Sequence, residues 1–106
     1  MIPKPKYKKR KPDPVQKIQL QDKKECWVTG QTTGLHKHHI YGGARRKLSE
    51  RYGLYVYLTP YWHNASNDGV HFDYEFDMKL KALAQTEFEK VYSRDKFMEV
   101  FGKNYL

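Results

Sequence analysis

Three histidines fall within four positions in "LHKHHIYGGARRK", residues 35–47, followed by two glycines and three basic residues. Two more, His63 and His71, follow Pro60 in "PYWHNASNDGVH". All five histidines, His36, His38, His39, His63 and His71, lie in the middle third of the chain. Imidazole is a common metal ligand and its charge changes near neutral pH. In an extended strand successive side chains point to opposite faces. His36 and His38 then share one face, and His39 takes the other. A metal held by His38 and a base at His39 would approach one phosphate from different directions. Phosphodiester hydrolysis needs those two parts, a cation on the phosphate and a base for water. A free imidazole, with a pKa of about 6.5, can serve as that base.

The elements that must position these rings are partly legible. "CWVTG" reads as a strand entering a turn at Gly30, and Gly34 suits a positive φ. "LHKHHIY" reads as a second strand. "GGARRKLSERYG" is a loop with one helical turn at 44–51, and "LYVYLTP" is a strand that stops at Pro60. Asn67-Asp68-Gly69 breaks a short helix or turn after Pro60. Phe76, Leu80, Leu83, Ala84, Phe88, Val91 and Tyr92 repeat at helical spacing and predict one apolar face. Asp73 is the expected N-cap, with Glu75 and Asp77 at the positive end of the helix dipole. Ser93 caps a short last helix that ends at Gly102. Residues 15–24 carry only a weak helical pattern.

The chain has 106 residues, one cysteine, a net charge of +8 and a mean hydropathy of −0.93. One domain with a small core fits that length, and a lone Cys26 excludes an internal disulfide. No apolar run is long enough to span a membrane, and no secretory signal begins the chain. A cytoplasmic protein is expected. Residues 1–25 carry a charge of +6, residues 26–71 carry +3 and residues 72–106 carry −1. Positive charge on the first segment and around the histidines favours a polyanion, most simply DNA or RNA. "MIPKPKYKKRKPDP" at 1–14 reads as an extended, proline-rich arm, whose lysines beside Tyr7 could track phosphates.

His38-His39-Ile40, a glycine-containing loop, the strand "LYVYLTP" and His63 just after Pro60 together resemble the HNH endonucleases, whose core is a ββα-metal (His-Me) finger. The stretch from Cys26 to "FGKNYL" looks like the small HNH proteins of bacteriophages and prophages. The resemblance implies an α+β fold. Residues 1–24 are expected to form a basic arm and residues 25–106 the nuclease domain, with the ββα-metal core at about 35–72 and C-terminal helices at 73–102. It implies that His38 and His63 bind the metal and that His39 is the general base. His71 is expected as the third ligand, folded back by the Asn-Asp-Gly turn. Asn67, four residues after His63, competes with it. His36 is a fourth ligand, a phosphate contact or an ordinary strand residue.

Arg45, Arg46, Lys47 and Arg51, in the loop that borders the DNA groove of such folds, are expected to contact phosphate. Lys37, Lys8, Lys9, Arg10 and Lys11 join them. The implied activity is divalent-metal-dependent hydrolysis of DNA, most simply nicking with low sequence specificity, in a bacterial host cell. Magnesium or manganese is the expected working ion, and zinc or nickel would also suit the nitrogen ligands. A monomer or a homodimer fits, and a phage or host recombination or packaging protein is a conceivable partner.

Two departures from the family pattern stand out. Its middle Asn usually lies nine residues before the last histidine, which is Leu54 here; a backbone carbonyl at 54 could orient the base instead. The stations of a structural zinc found in many relatives correspond to Cys26, Thr29, Thr59 and Trp62. Three of these are poor ligands, so no structural zinc is expected. Trp27, Val28 and Trp62 are expected to pack in its place. Leu54 also keeps a second reading open, that of an HNH-fold factor that binds DNA or protein without cutting.

Overall fold

The computed structural model describes residues 15–106. The arm at 1–14, with Tyr7, Lys8, Lys9, Arg10 and Lys11, lies outside the described residues. The rest is a small α+β domain. Strand β1, His36–His39, pairs antiparallel with β2, Tyr55–Leu58. Between them run a 3-10 turn, Gly43–Arg45, and helix α1, Arg46–Tyr52. A wide π-type turn, Tyr61–Ala65, follows Pro60. Helix α2, Tyr74–Val91, and helix α3, Arg94–Phe101, complete the chain. Among the described residues no helix is long and apolar enough to cross a membrane.

Alternation sets the faces of the sheet. Val56 and Leu58 of β2 are fully buried, whereas Tyr55 and Tyr57 are half-buried on the opposite face. The register places His38 opposite Val56 and His39 opposite Tyr55. His38 therefore shares the core side with the helices, and His39 looks away from it. The starts of α2 and α3 are capped as their sequences suggest. The Asp73 carboxylate accepts from Phe76 N–H at 3.1 Å, and the Ser93 hydroxyl accepts from Lys96 N–H at 3.0 Å. Gly102 ends α3 at φ 75°. The core joins Ile40, Tyr41, Leu54, Val56 and Leu58 to Leu80, Ala84 and Phe88 of α2 and to Phe97 and Phe101 of α3.

Several expectations need correction. "CWVTG" is not a strand; Cys26 makes one isolated bridge to Tyr57. Residues 15–24 form no helix and do not belong to a free arm. Ile18 is buried, and Val15 and Leu20 pack on the core. Ile18 N–H donates to the Tyr52 carbonyl at 2.7 Å, and the Gln21 side-chain oxygen accepts from Tyr57 N–H at 2.8 Å. Gln21 therefore satisfies one N–H on the free edge of β2. Gly53, at φ 76°, makes the close passage possible, because a Cβ there would collide with the Ile18 carbonyl.

On α2, Val91 is exposed and Gln85 is fully buried instead. Gln85 donates to Glu89 and Asn104 and accepts from Tyr105 N–H at 2.7 Å, which pins the C-terminal tail to the helix. Trp27 and Val28 do not pack inward. They are 38% and 44% exposed and line an apolar groove of about 480 Å³ with Trp62, Phe76, Leu80 and Leu83. That groove does not include the histidines.

Candidate metal and nucleic-acid site

His63 sits in the π-type turn, where its N–H donates to the Thr59 carbonyl at 3.0 Å. The chain then loops through Ser66 and Asp68. The Ser66 hydroxyl donates to the Tyr61 carbonyl at 2.8 Å and accepts from Asp68 N–H at 3.2 Å. Coming back, Val70 N–H donates to the Trp62 carbonyl at 2.8 Å, and His71 N–H donates to the His63 carbonyl at 3.1 Å. Gly69 permits this return. A Cβ there would stand 2.7 Å from the His63 carbonyl oxygen. The backbone thus lays the His71 ring beside that of His63, with their Nε2 atoms 2.9 Å apart.

His38 completes the group from β1. Its ring centroid is 5.3 Å from that of His63 and 5.2 Å from that of His71. One nitrogen from each of the three histidines lies within 4.8 Å of the other two. His38 is only 6% exposed, and its Nε2 has no hydrogen-bond partner. A buried polar atom without a partner is costly, and an ion held there would satisfy it. Imidazole nitrogens bound to one ion at about 2.1 Å stand roughly 3–3.5 Å apart, within the spacing found. Three imidazole nitrogens suit a borderline divalent ion. His38, His63 and His71 are therefore close enough to hold a metal ion.

The other expected ligands fall outside this group. Helical geometry ends at Ala65 and Ser66 is extended, so Asn67 does not follow His63 on one helical face. His36 lies behind His63, with their Nδ1 atoms 3.0 Å apart. It engages the opposite side of the His63 ring from His71. Cys26 is buried against Thr59. Burial raises its pKa, but hydrogen bonds from Thr29, Thr59 and Val28 prevail and lower it to about 7.

Burial, reinforced by the charges of His63, His71, His39 and Lys81, lowers His38 to about 3. Burial, with His71 and His36 beside it, lowers His63 to about 4. Both rings stay neutral in the folded chain at pH values where the unfolded chain takes up protons. Stability must then rise with pH between the folded and unfolded values. The depressed Glu50 carboxyl acts in the same direction at lower pH. Metal-free protein is expected to lose about 2 kcal/mol between pH 7.5 and 5 through His38 alone. Urea unfolding at the two pH values checks this, and equal midpoints would contradict a neutral, buried His38.

On the other face of β1, His39 Nε2 lies 2.7 Å from Glu50 Oε2, and Arg46 Nε lies 3.4 Å from His39 Nδ1. Lys37 Nζ reaches both Glu50 oxygens, at 3.2 and 3.4 Å, from above the Tyr55 ring. The hydrogen bond from His39, then Lys37, holds the Glu50 carboxyl below its usual range. Lys37, His39, Arg46, Lys47 and Glu50 line an open pocket of about 410 Å³. A second pocket, of about 280 Å³, runs from Arg46, His39 and Gly43 to His38, His63 and His71. The two faces of β1 therefore open on one continuous surface with basic side chains along it.

Compared with protein-family models, curated proteins and solved structures, the chain finds no match. The site stands on its own geometry.

The expected phosphate contacts are not equivalent. Arg46 lines both pockets and Lys47 the first, whereas Arg45 donates through Nε to the Phe101 carbonyl at 3.1 Å and steadies the end of α3. Arg51 lies 6.0 Å from the Tyr52 ring centroid. Leu54 is fully buried, and its carbonyl accepts from Ile40 N–H at 3.1 Å. It is thus engaged in pairing β1 to β2, and the group that holds His39 is Glu50. Sequence reasoning missed Glu50. Its signal was its isolation, as the sole acidic residue between Glu25 and Asp68.

Proposed function

We propose that this chain is a divalent-metal-dependent endonuclease of the HNH kind, with β1, β2 and the His63 turn serving as its ββα-metal core. The observation that carries the reading is the division of labour across β1. Three convergent histidines lie on one side, a carboxylate-held His39 lies on the other, and basic residues border both. DNA, bearing a charged phosphate backbone, suits that border. In the proposed reaction His39 takes a proton from a water whose oxygen attacks phosphorus. The P–O3′ bond breaks, and the departing 3′-oxygen takes a proton from solvent, leaving a 5′-phosphate and a 3′-hydroxyl. A divalent ion, when bound, supplies positive charge to the phosphate and the leaving oxygen. His38, His63 and His71 would hold it, and Arg46 and Lys47 would position the backbone. With one such site per chain, the simplest product is a nick.

A second reading, an HNH-fold factor that binds without cutting, rests on Leu54 in place of the family's Asn. Conversion of supercoiled plasmid to nicked circles separates the two. Nicking with manganese, magnesium, nickel or zinc, and none with EDTA, is expected. A gel shift with intact plasmid under every metal would favour the binding factor.

A further inference from the structure

We infer that Glu50 is the positioning residue for His39, fixing which imidazole nitrogen carries hydrogen and which holds the lone pair. This deepens the nuclease reading and rests on it. A carboxylate only accepts hydrogen bonds, so the His39 nitrogen 2.7 Å from Glu50 Oε2 must be the one that carries hydrogen. That nitrogen is Nε2. The lone pair is then on Nδ1, and Arg46 reports the same assignment from the other side of the ring. Its Nε–H donates toward Nδ1 at 3.4 Å, which requires an acceptor there. Two independent contacts thus agree on one tautomer. His39 lines one pocket with Lys37, Arg46 and Lys47, where a phosphate and its attacking water would arrive.

Glu50 is itself held on both sides. It sits on α1, whose Ser49 is buried and ties that helix to β1 and its continuation: the Ser49 hydroxyl donates to the Tyr41 carbonyl at 2.8 Å and accepts from Tyr41 N–H at 3.0 Å. Lys37, next to His38 on β1, grips both carboxylate oxygens. A ring so oriented needs no rearrangement when it takes the proton. The backbone carbonyl of Leu54 is already committed to Ile40. Glu50 supplies the acceptor instead.

The test compares full-length wild type with Glu50→Ala and Glu50→Gln. Nicking kinetics are measured in manganese, and the His39 ring is observed by nitrogen-15 NMR in metal-free protein. Glu50→Ala is expected to lower kcat roughly 10–100-fold, the range typical of partners that orient a site histidine. Its KM should stay close to that of wild type. Glu50→Gln should recover part of the loss, because its amide oxygen still accepts from Nε2–H. The downfield Nε2–H proton of His39 should be present in wild type, retained in Glu50→Gln and lost to solvent exchange in Glu50→Ala. Wild-type kcat in a folded Glu50→Ala protein, or persistence of that proton, would overturn the inference while leaving the nuclease reading intact. If the wild type cuts nothing, the nuclease reading fails and the NMR comparison alone decides whether Glu50 holds the ring.

Discussion

His39→Ala is expected to lower plasmid nicking by about 10²–10⁴-fold while sparing both the fold and metal binding. The ring stands on the face of β1 opposite His38, with Glu50, Arg46 and the edge of Tyr55 as its neighbours. None of these is among the three histidines that converge on the other side. Truncation removes a half-buried ring and one charge-assisted hydrogen bond, and Lys37 remains to neutralise Glu50. Chemistry should suffer far more than stability. A positioned general base typically contributes about 10²–10⁴-fold, so residual cutting should fall by that factor. Melting temperature and metal binding should match wild type. The paired assay is nicking in manganese beside thermal melts with and without the ion. Undiminished cutting by a folded His39→Ala protein would assign the proton transfer to another group. A protein that no longer bound metal would mean that the two faces of β1 are not separable.

That separation was legible in the sequence, because strand alternation alone puts His38 and His39 on opposite faces. The repeat from Phe76 to Tyr92 likewise announced α2, and Asp73, Ser93 and Gly102 marked helix boundaries through local capping chemistry. What stayed hidden depended on tertiary approach. Glu50 meets His39 only because α1 docks beside β1, and no spacing rule links positions 39 and 50. His71 reaches His63 through a backbone return over Gly69; the turn residues suggested that return without fixing its geometry. Gln85 reads as a surface residue until the tail brings Asn104 and Tyr105 to it. Trp27 and Val28 suggested packing by their apolarity, yet they rim a groove. The segment at 15–24 lacked periodicity because it is neither helix nor strand; it packs Ile18 on the core and pairs Gln21 with the edge of β2.

The second large effect concerns the metal. Saturating manganese, nickel or zinc is expected to raise the melting temperature of wild type, and His63→Ala is expected to erase the rise. A ligand that binds only the folded state stabilises it by about 2.7 kcal/mol at one hundred times its Kd. The folded chain presents its nitrogens ready for this. His38 and His63 are held neutral by burial, so little proton release opposes binding at neutral pH. His63 is the informative position because it lies between His71 at Nε2 and His36 at Nδ1. Its removal breaks the donor set yet leaves the buried cluster of Leu54, Val56, Phe88 and Phe97 untouched. His63→Ala should therefore still fold cooperatively in EDTA, as should wild type. That outcome distinguishes a working site from a structural one, in which chelation would unfold the chain. An equal rise in His63→Ala would place the ion elsewhere. Unfolding of wild type by EDTA would instead make the three histidines a staple for a small core, with catalysis no longer needed to explain them.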